Sequence, residues 1–238
     1  MKTIDQLKVE LFADGADLVG MLEMHSKTYI KGLTTNPTLM KKAGISDYTS
    51  FAKQVLEKIS DKPISFEVFS DDVDQMLIQA RKIASWGDNV FVKIPITNTK
   101  KTSTSKIVNI LSSEGVKVNV TALMTTQQVN EVCEALNPEV PSNISIFAGR
   151  IADTGLDPLQ IMRESLKIVE DNTKCKVIWA SPRELLNVFQ ADEIGCHIIT
   201  ATNDILKKLS LVGKDLQEYS VETVQMFYND ASAAGYTV

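Results

Sequence analysis

Two histidines, three cysteines and no glycine-rich phosphate loop leave this chain short of the groups that most metal, disulfide and nucleotide chemistry needs. His25 and His197 stand apart with no HExxH or similar ligand spacing, so no metal is expected. Cys133, Cys175 and Cys196 are odd in number and lack CxxC spacing, which reads as reduced thiols rather than a disulfide framework. No run approaches the roughly 20 apolar residues of a membrane span, and the opening Met1-Lys2-Thr3-Ile4-Asp5-Gln6 has no apolar leader core. The expected location is therefore cytoplasmic, and the Asn-x-Ser/Thr triplets at Asn119 and Asn143 are not glycosylation signals. Basic charge is scarce too. A net charge of −5 argues against a general nucleic-acid binder, although a small anionic substrate needs only one or two local cations. There is no Walker loop and no Ser-His-Asp arrangement.

What is present is an ordinary globular composition, 44% hydrophobic and 23% charged over 238 residues, with no linker or low-complexity break. One domain over 1–238 is expected. Short β-rich runs alternate with longer amphipathic stretches. The strands read as Val9–Asp14, Ile30–Asn36, Ile64–Phe69, Val90–Ile96, Lys117–Leu123, Asn143–Arg150, Lys176–Ser181 and His197–Thr202. Most are continuous apolar runs, as in parallel strands covered on both faces. Between them, Phe51, Val55 and Ile59 form one helical stripe, and Val73, Met76, Leu77, Ala80 and Ile83 another. Ser70-Asp71-Asp72, Asp157-Pro158 and Ser181-Pro182 read as helix starts, and Leu216–Asp230 as an extra terminal helix. Eight strands alternating with eight helices predict a (β/α)8 barrel. An open doubly wound sheet would usually have fewer strands and a Gly-rich first turn, which Ala13-Asp14-Gly15-Ala16-Asp17 is not.

Polar residues near the C-terminal ends of buried strands need a reason. Asp14, Asn36, Glu67, Lys93, Asn119 with Thr121, Ser145 and Ser181 all sit there. Strand alternation puts Lys93 on the face opposite Val90, Val92 and Ile94, and Glu67 on the face opposite Ile64, Phe66 and Val68. In a barrel these side chains converge at the C-terminal mouth, where active sites of this fold lie. One such lysine alone would read as an edge or snorkelling residue; polar residues on seven strands point to a site. Burial disfavours an ammonium and frees the amine to attack a ketone, giving an iminium that serves as electron sink. Glu67 reads either as a salt-bridge partner of Lys93 or as an acid/base that relays protons during imine formation. Asp14 reads as a cap for a helix beginning at Gly15, as an acid/base, or as both. Arg150 closes the sixth strand in this reading, and Arg183 follows Ser181-Pro182. Together they suggest a phosphorylated substrate, against the simpler view of two surface arginines.

Gly32-Leu33-Thr34-Thr35-Asn36-Pro37-Thr38 resembles the TTNP signature of the transaldolase family, and Val92-Lys93-Ile94-Pro95-Ile96-Thr97 resembles its Schiff-base lysine segment. Asn119-Val120-Thr121-Ala122-Leu123, Ser145-Ile146-Phe147-Ala148-Gly149-Arg150 and Leu11-Phe12-Ala13-Asp14 are similar to its fifth-, sixth- and first-strand motifs. The resemblance implies a class I aldolase on a (β/α)8 barrel, with Lys93 forming the imine and no cofactor. It implies Asp14 as acid/base at the substrate hydroxyl, and Glu67 with Thr121 positioning the catalytic water. Asn36, Asn119 and Ser145 would bind the dihydroxyacetone part of the sugar, and Thr34 would also be substrate-binding. Arg150, Ser181 and Arg183 would hold the phosphate, with Phe147 lining the pocket. It also implies a homo-oligomer, with Leu216–Asp230 as a contact.

The fructose 6-phosphate aldolases, a short-chained branch, usually carry Gln where this chain has Glu67 and Tyr where it has Phe147. Both positions favour a transferase acting on sedoheptulose 7-phosphate or fructose 6-phosphate, with glyceraldehyde 3-phosphate or erythrose 4-phosphate as acceptor. The alternatives are an aldolase releasing free dihydroxyacetone and a silent sugar-phosphate-binding barrel. Pro182, Met124 and the eighth strand Ile198–Thr202 depart from the family pattern.

Overall fold

The computed structural model describes residues 2–237, so Met1 and Val238, the ends of the expected domain, lie outside it. Eight parallel strands close into a barrel in sequence order. They are β1 (Glu10–Asp14), β2 (Ile30–Thr34), β3 (Ile64–Glu67), β4 (Val90–Pro95), β5 (Val118–Leu123), β6 (Ser142–Ile146), β7 (Cys175–Trp179) and β8 (Ile198–Thr202). Helices α1 (Leu18–His25), α2 (Pro37–Lys42), α3 (Tyr48–Lys58), α4 (Val73–Ala84), α5 (Ser105–Ser113) and α6 (Thr126–Ala135) follow the first five strands. After β6 to β8 come α7 (Ala148–Ala152), α8 (Pro158–Ile168), α9 (Leu186–Glu193), α10 (Asn203–Lys207) and the terminal α11 (Leu216–Ala234).

Alternation along each strand divides the apolar material into two unequal bodies. The larger lies between the strands and the helices, where Val90, Val92 and Ile94 meet the buried stripes of α3 (Phe51, Val55) and α4 (Met76, Ala80, Ile83). The smaller fills the barrel floor on one side, from Phe12, Ile178, Ala180 and Ile198, with Phe147 packed on it. On the other side the interior is polar. There Asn119 donates to Ser65 Oγ at 2.9 Å and accepts from Ser145 Oγ at 2.7 Å, so all three buried groups are paired.

Strands β3 and β7 end two residues earlier than read, at Glu67 and Trp179, and three further boundaries differ for an identifiable reason. The chain leaves β2 at Thr34 because Asn36 caps α2, accepting from Leu39 N at 2.9 Å with Pro37 in the first turn. Strand β6 ends at Ile146, so Arg150 belongs to α7 and does not close the sixth strand. The apolar run Ile146-Phe147-Ala148 hid that turn. Gly149 permits it, since a Cβ there would sit 1.6 Å from the Ser181 carbonyl oxygen. No helix starts at Pro182: Asn187 Oδ1 accepts from the backbone N–H groups of Arg183 and Glu184, holding an open turn until α9 begins at Leu186. The helix starts at Asp72 and Asp157 are as expected, with both side chains capping. The short helices α2, α7 and α10 are additions to an eight-plus-eight pattern, and they stand over the barrel mouth.

Gly32 faces inward beneath Phe12, and a Cβ there would lie 2.4 Å from the ring. Phe12 is buried and has little room to yield. Gly32→Ala should therefore cost about 1–3 kcal/mol by overpacking, read as a lower urea midpoint. Phe12→Leu in the same chain should recover part of the loss; an additive double variant would show that the ring is not the obstacle.

Candidate active site

A cavity of about 700 Å³ opens at the C-terminal mouth of the barrel. Lys93 lies at its base, 6% exposed, because β4 turns that residue inward and β3 pairs Glu67 beside it in register. Its Nζ stands 3.4 Å from Glu67 Oε2 and donates to the Thr35 carbonyl at 3.2 Å. Asp14 completes the charged set from β1. It does not cap α1, which Asp17 does through Gly20 N. Instead Asp14 Oδ1 accepts from Thr34 Oγ1 at 2.8 Å, and Oδ2 accepts from Asn36 Nδ2 at 3.3 Å.

Two carboxyls and one lysine amino group share this small space. Burial pushes Asp14 above the ordinary carboxylate range, more than Lys93 and the Thr34 hydrogen bond pull it back. Burial raises Glu67 as well, against the attraction of Lys93, and the like charge of Asp14 adds to the rise. Carboxyls with raised affinity for protons, beside an amine, are suited to proton transfer.

Thr121, Ser145, Phe147, Arg150, Ser181 and Arg183 line the same cavity, as do Thr34 and Asn36. Thr121 Oγ1 is buried with no hydrogen-bond partner among the described residues, a costly state for a hydroxyl that does not meet a ligand or water. It lies next to the register shift between β5 and β6, where Ala122 takes a left-handed φ of 65°. Such irregularities re-aim side chains beside active sites. Phe147 carries the Arg150 guanidinium 5.8 Å from its ring centre. Arg183 is gripped by Asp153 through Nε, at 2.9 Å, and one terminal nitrogen, which leaves the other terminal nitrogen's donors free. Ser181 takes a left-handed φ of 60° in the loop that also meets Gly149. Asn119 is the exception. It does not line the cavity, being fully buried below it, with its amide committed to Ser65 and Ser145.

Several lining residues escaped the sequence reading: Thr200 and Thr202 on β8, Lys42 on α2 and Asp204 on α10. The two threonines carried a usable signal, polar residues two apart on one strand face, like Asn119 and Thr121. Lys42 carried none, since a lysine on a short helix looks solvated in any sequence. Among the described residues, no group of three or more His, Cys, Asp or Glu side chains is placed to hold a metal ion, and no helix is long and apolar enough to cross a membrane. The three cysteines are free.

The raised affinity of Asp14 for its proton has a consequence for stability. The folded state holds that proton at pH values where the unfolded chain has lost it, so stability falls as pH rises above the unfolded value near 3.8. Asp14→Asn should therefore unfold at a higher temperature than wild type at pH 7.5, and the gap should narrow as pH approaches 4. A variant less stable than wild type at both pH values would show that the contacts of Asp14, not its burial, dominate.

Known proteins resemble this chain over most of its length. A family model described as Transaldolase/Fructose-6-phosphate aldolase matches residues 11–237. A probable transaldolase of Thermoanaerobacter sp. (strain X514) is 33% identical over 97% of this chain and 100% of its own length. Probable transaldolases of Streptococcus equi subsp. zooepidemicus (strain MGCS10565) and Streptococcus pyogenes serotype M5 (strain Manfredo) are each 34% identical over 85% of this chain and 90% of theirs. A closed (β/α)8 barrel with an inward lysine, matched over nearly its whole length, belongs to the transaldolase/fructose-6-phosphate aldolase family.

Proposed function

We propose that the protein is a class I transaldolase that transfers a dihydroxyacetone unit between phosphorylated sugars, as in the pentose phosphate pathway. The observation that carries this reading is the placement of Lys93 at the cavity base between two proton-loving carboxyls, below Arg150 and Arg183. Lys93 Nζ attacks the C2 ketone carbon of the donor, and the carbinolamine loses water to give an iminium. Glu67 and the unpartnered Thr121 hydroxyl hold that water and carry its proton. Asp14 takes the proton of the C4 hydroxyl as the C3–C4 electron pair moves into the iminium, and the aldose phosphate leaves. The enamine carbon then attacks the acceptor aldehyde while Asp14 returns its proton, and water hydrolyses the new imine.

Ser145 and Asn36 Nδ2 face the dihydroxyacetone carbons in this reading. Thr34 and Asn119, already engaged with their neighbours, serve the site by support. Arg150 and the free edge of Arg183 bind the phosphate, aided by Ser181, while Phe147 lines the cavity and orients Arg150. We also infer a homo-oligomer. Helix α11 buries none of its 19 residues and exposes Leu216, Val221, Val224 and Phe227, and light scattering should report a mass above that of one 26.3 kDa chain.

Lys93→Ala should abolish the borohydride-trapped adduct with fructose 6-phosphate, and an adduct that persists would place the imine on another lysine. Glyceraldehyde 3-phosphate release should require erythrose 4-phosphate. Release that ignores the acceptor would make the protein an aldolase. Sugar-phosphate binding without adduct or turnover would make it a silent barrel.

A further inference from the structure

Asp14 ends in a chain of hydroxyls that no other part of the mechanism uses. Strand β1 lies between β2 and β8, and all three turn a polar side chain inward above Phe12. Thr34 Oγ1 donates to Asp14 Oδ1 at 2.8 Å, and Thr200 Oγ1 lies 2.5 Å from Thr34 Oγ1. Thr34 and Thr200 are 1% and 6% exposed, so bulk water does not compete for either hydroxyl.

We propose that Thr200, acting through Thr34, is a positioning residue that holds the Asp14 carboxylate in the orientation its proton transfers require. Each hydroxyl carries one proton. With the Thr34 proton committed to the carboxylate, Thr200 must donate to Thr34, and the chain runs from β8 through β2 to β1. In this direction it favours the ionised carboxylate, which burial alone disfavours. When Asp14 takes a proton, the same two hydroxyls can reverse and accept. The contact thus survives both states of the catalytic cycle.

The inference rests on the reading of Asp14 as acid/base, so its test separates the two. The titratable groups facing Asp14 are Lys93 on β4, Glu67 on β3, and Asp17, Lys42 and Asp204 at the lip. None of them is altered by Thr200→Val, which keeps the shape and removes the donor. The Asp14 carboxyl, followed by carbon-13 NMR in the substrate-free protein, should titrate at higher pH in Thr200→Val. It should titrate as in wild type in Thr200→Ser, and Thr34→Val should gain no further shift when Thr200→Val is added. The acid limb of kcat/KM should move the same way, lowering the rate about threefold on that limb.

A carboxyl titration unchanged in Thr200→Val, or one not rescued in Thr200→Ser, would overturn the inference. A carboxyl that shifts while the rate limb stays put supports the contact and removes Asp14 from the chemistry.

Discussion

The buried pair of Lys93 and Glu67 constrains everything around it. Two charges taken out of water cost several kcal/mol each, and removing one partner of such a pair commonly costs about 3–5 kcal/mol. The pair therefore survives only where neighbouring backbone and side chains supply the missing contacts. Lys93 meets that condition with the Thr35 carbonyl. The Glu67 backbone is pinned from outside the barrel, because the Tyr48 hydroxyl donates to its carbonyl at 2.9 Å. Tyr48 in turn packs edge-on against Phe66, Phe69 and Trp86. The charged residue inside is thus held by an aromatic cluster on the other face of the same strand.

A closed parallel barrel makes this arrangement possible because its strands separate two environments by parity. Alternate residues go to the helices and are apolar; those between them go to the interior, where room for apolar filling is limited. Phe12, Ile178 and Ile198 fill part of the floor, and the remainder is closed by Ser65, Asn119 and Ser145 in a satisfied network. Above that layer the side chains that reach the cavity retain unused hydrogen-bonding capacity: Thr121, Asn36 Nδ2 and the free edge of Arg183. Stability is settled below and reactivity is left above.

How much of this was legible in the sequence follows from the same parity. Lys93, Glu67 and Asn119 with Thr121 could be assigned to a face because two-residue periodicity is local and survives without tertiary knowledge. Even so, Asn119 lies below the lining residues of the cavity, since parity gives the face and not the depth. The α7 turn was not legible because its cause is a long-range approach, Gly149 against the Ser181 carbonyl. The loop at Pro182 is similar, its amides being held by Asn187 rather than by a helix starting there. Thr200 was legible in principle, but its meaning depends on two neighbouring strands, β2 reaching across β1, which periodicity along one strand cannot express.

The electrostatics of the mouth turn on how one cation is prepared. In a chain of net charge −5, the two arginines that line the mouth are local cations held in place by their neighbours. Asp153 orients Arg183 by a two-point grip that fixes the guanidinium plane. The grip neutralises some of its charge, yet it removes the rotamer entropy that a free arginine would lose on binding. Arg150 rests on the Phe147 ring with a looser hold. One cation is fixed by an ion pair and the other rests on a ring, and their two segments meet where Gly149 of α7 approaches the Ser181 carbonyl. The two segments that periodicity misread, α7 and the Pro182 turn, are therefore those in which long-range contacts override local preference and bring two arginines to the cavity.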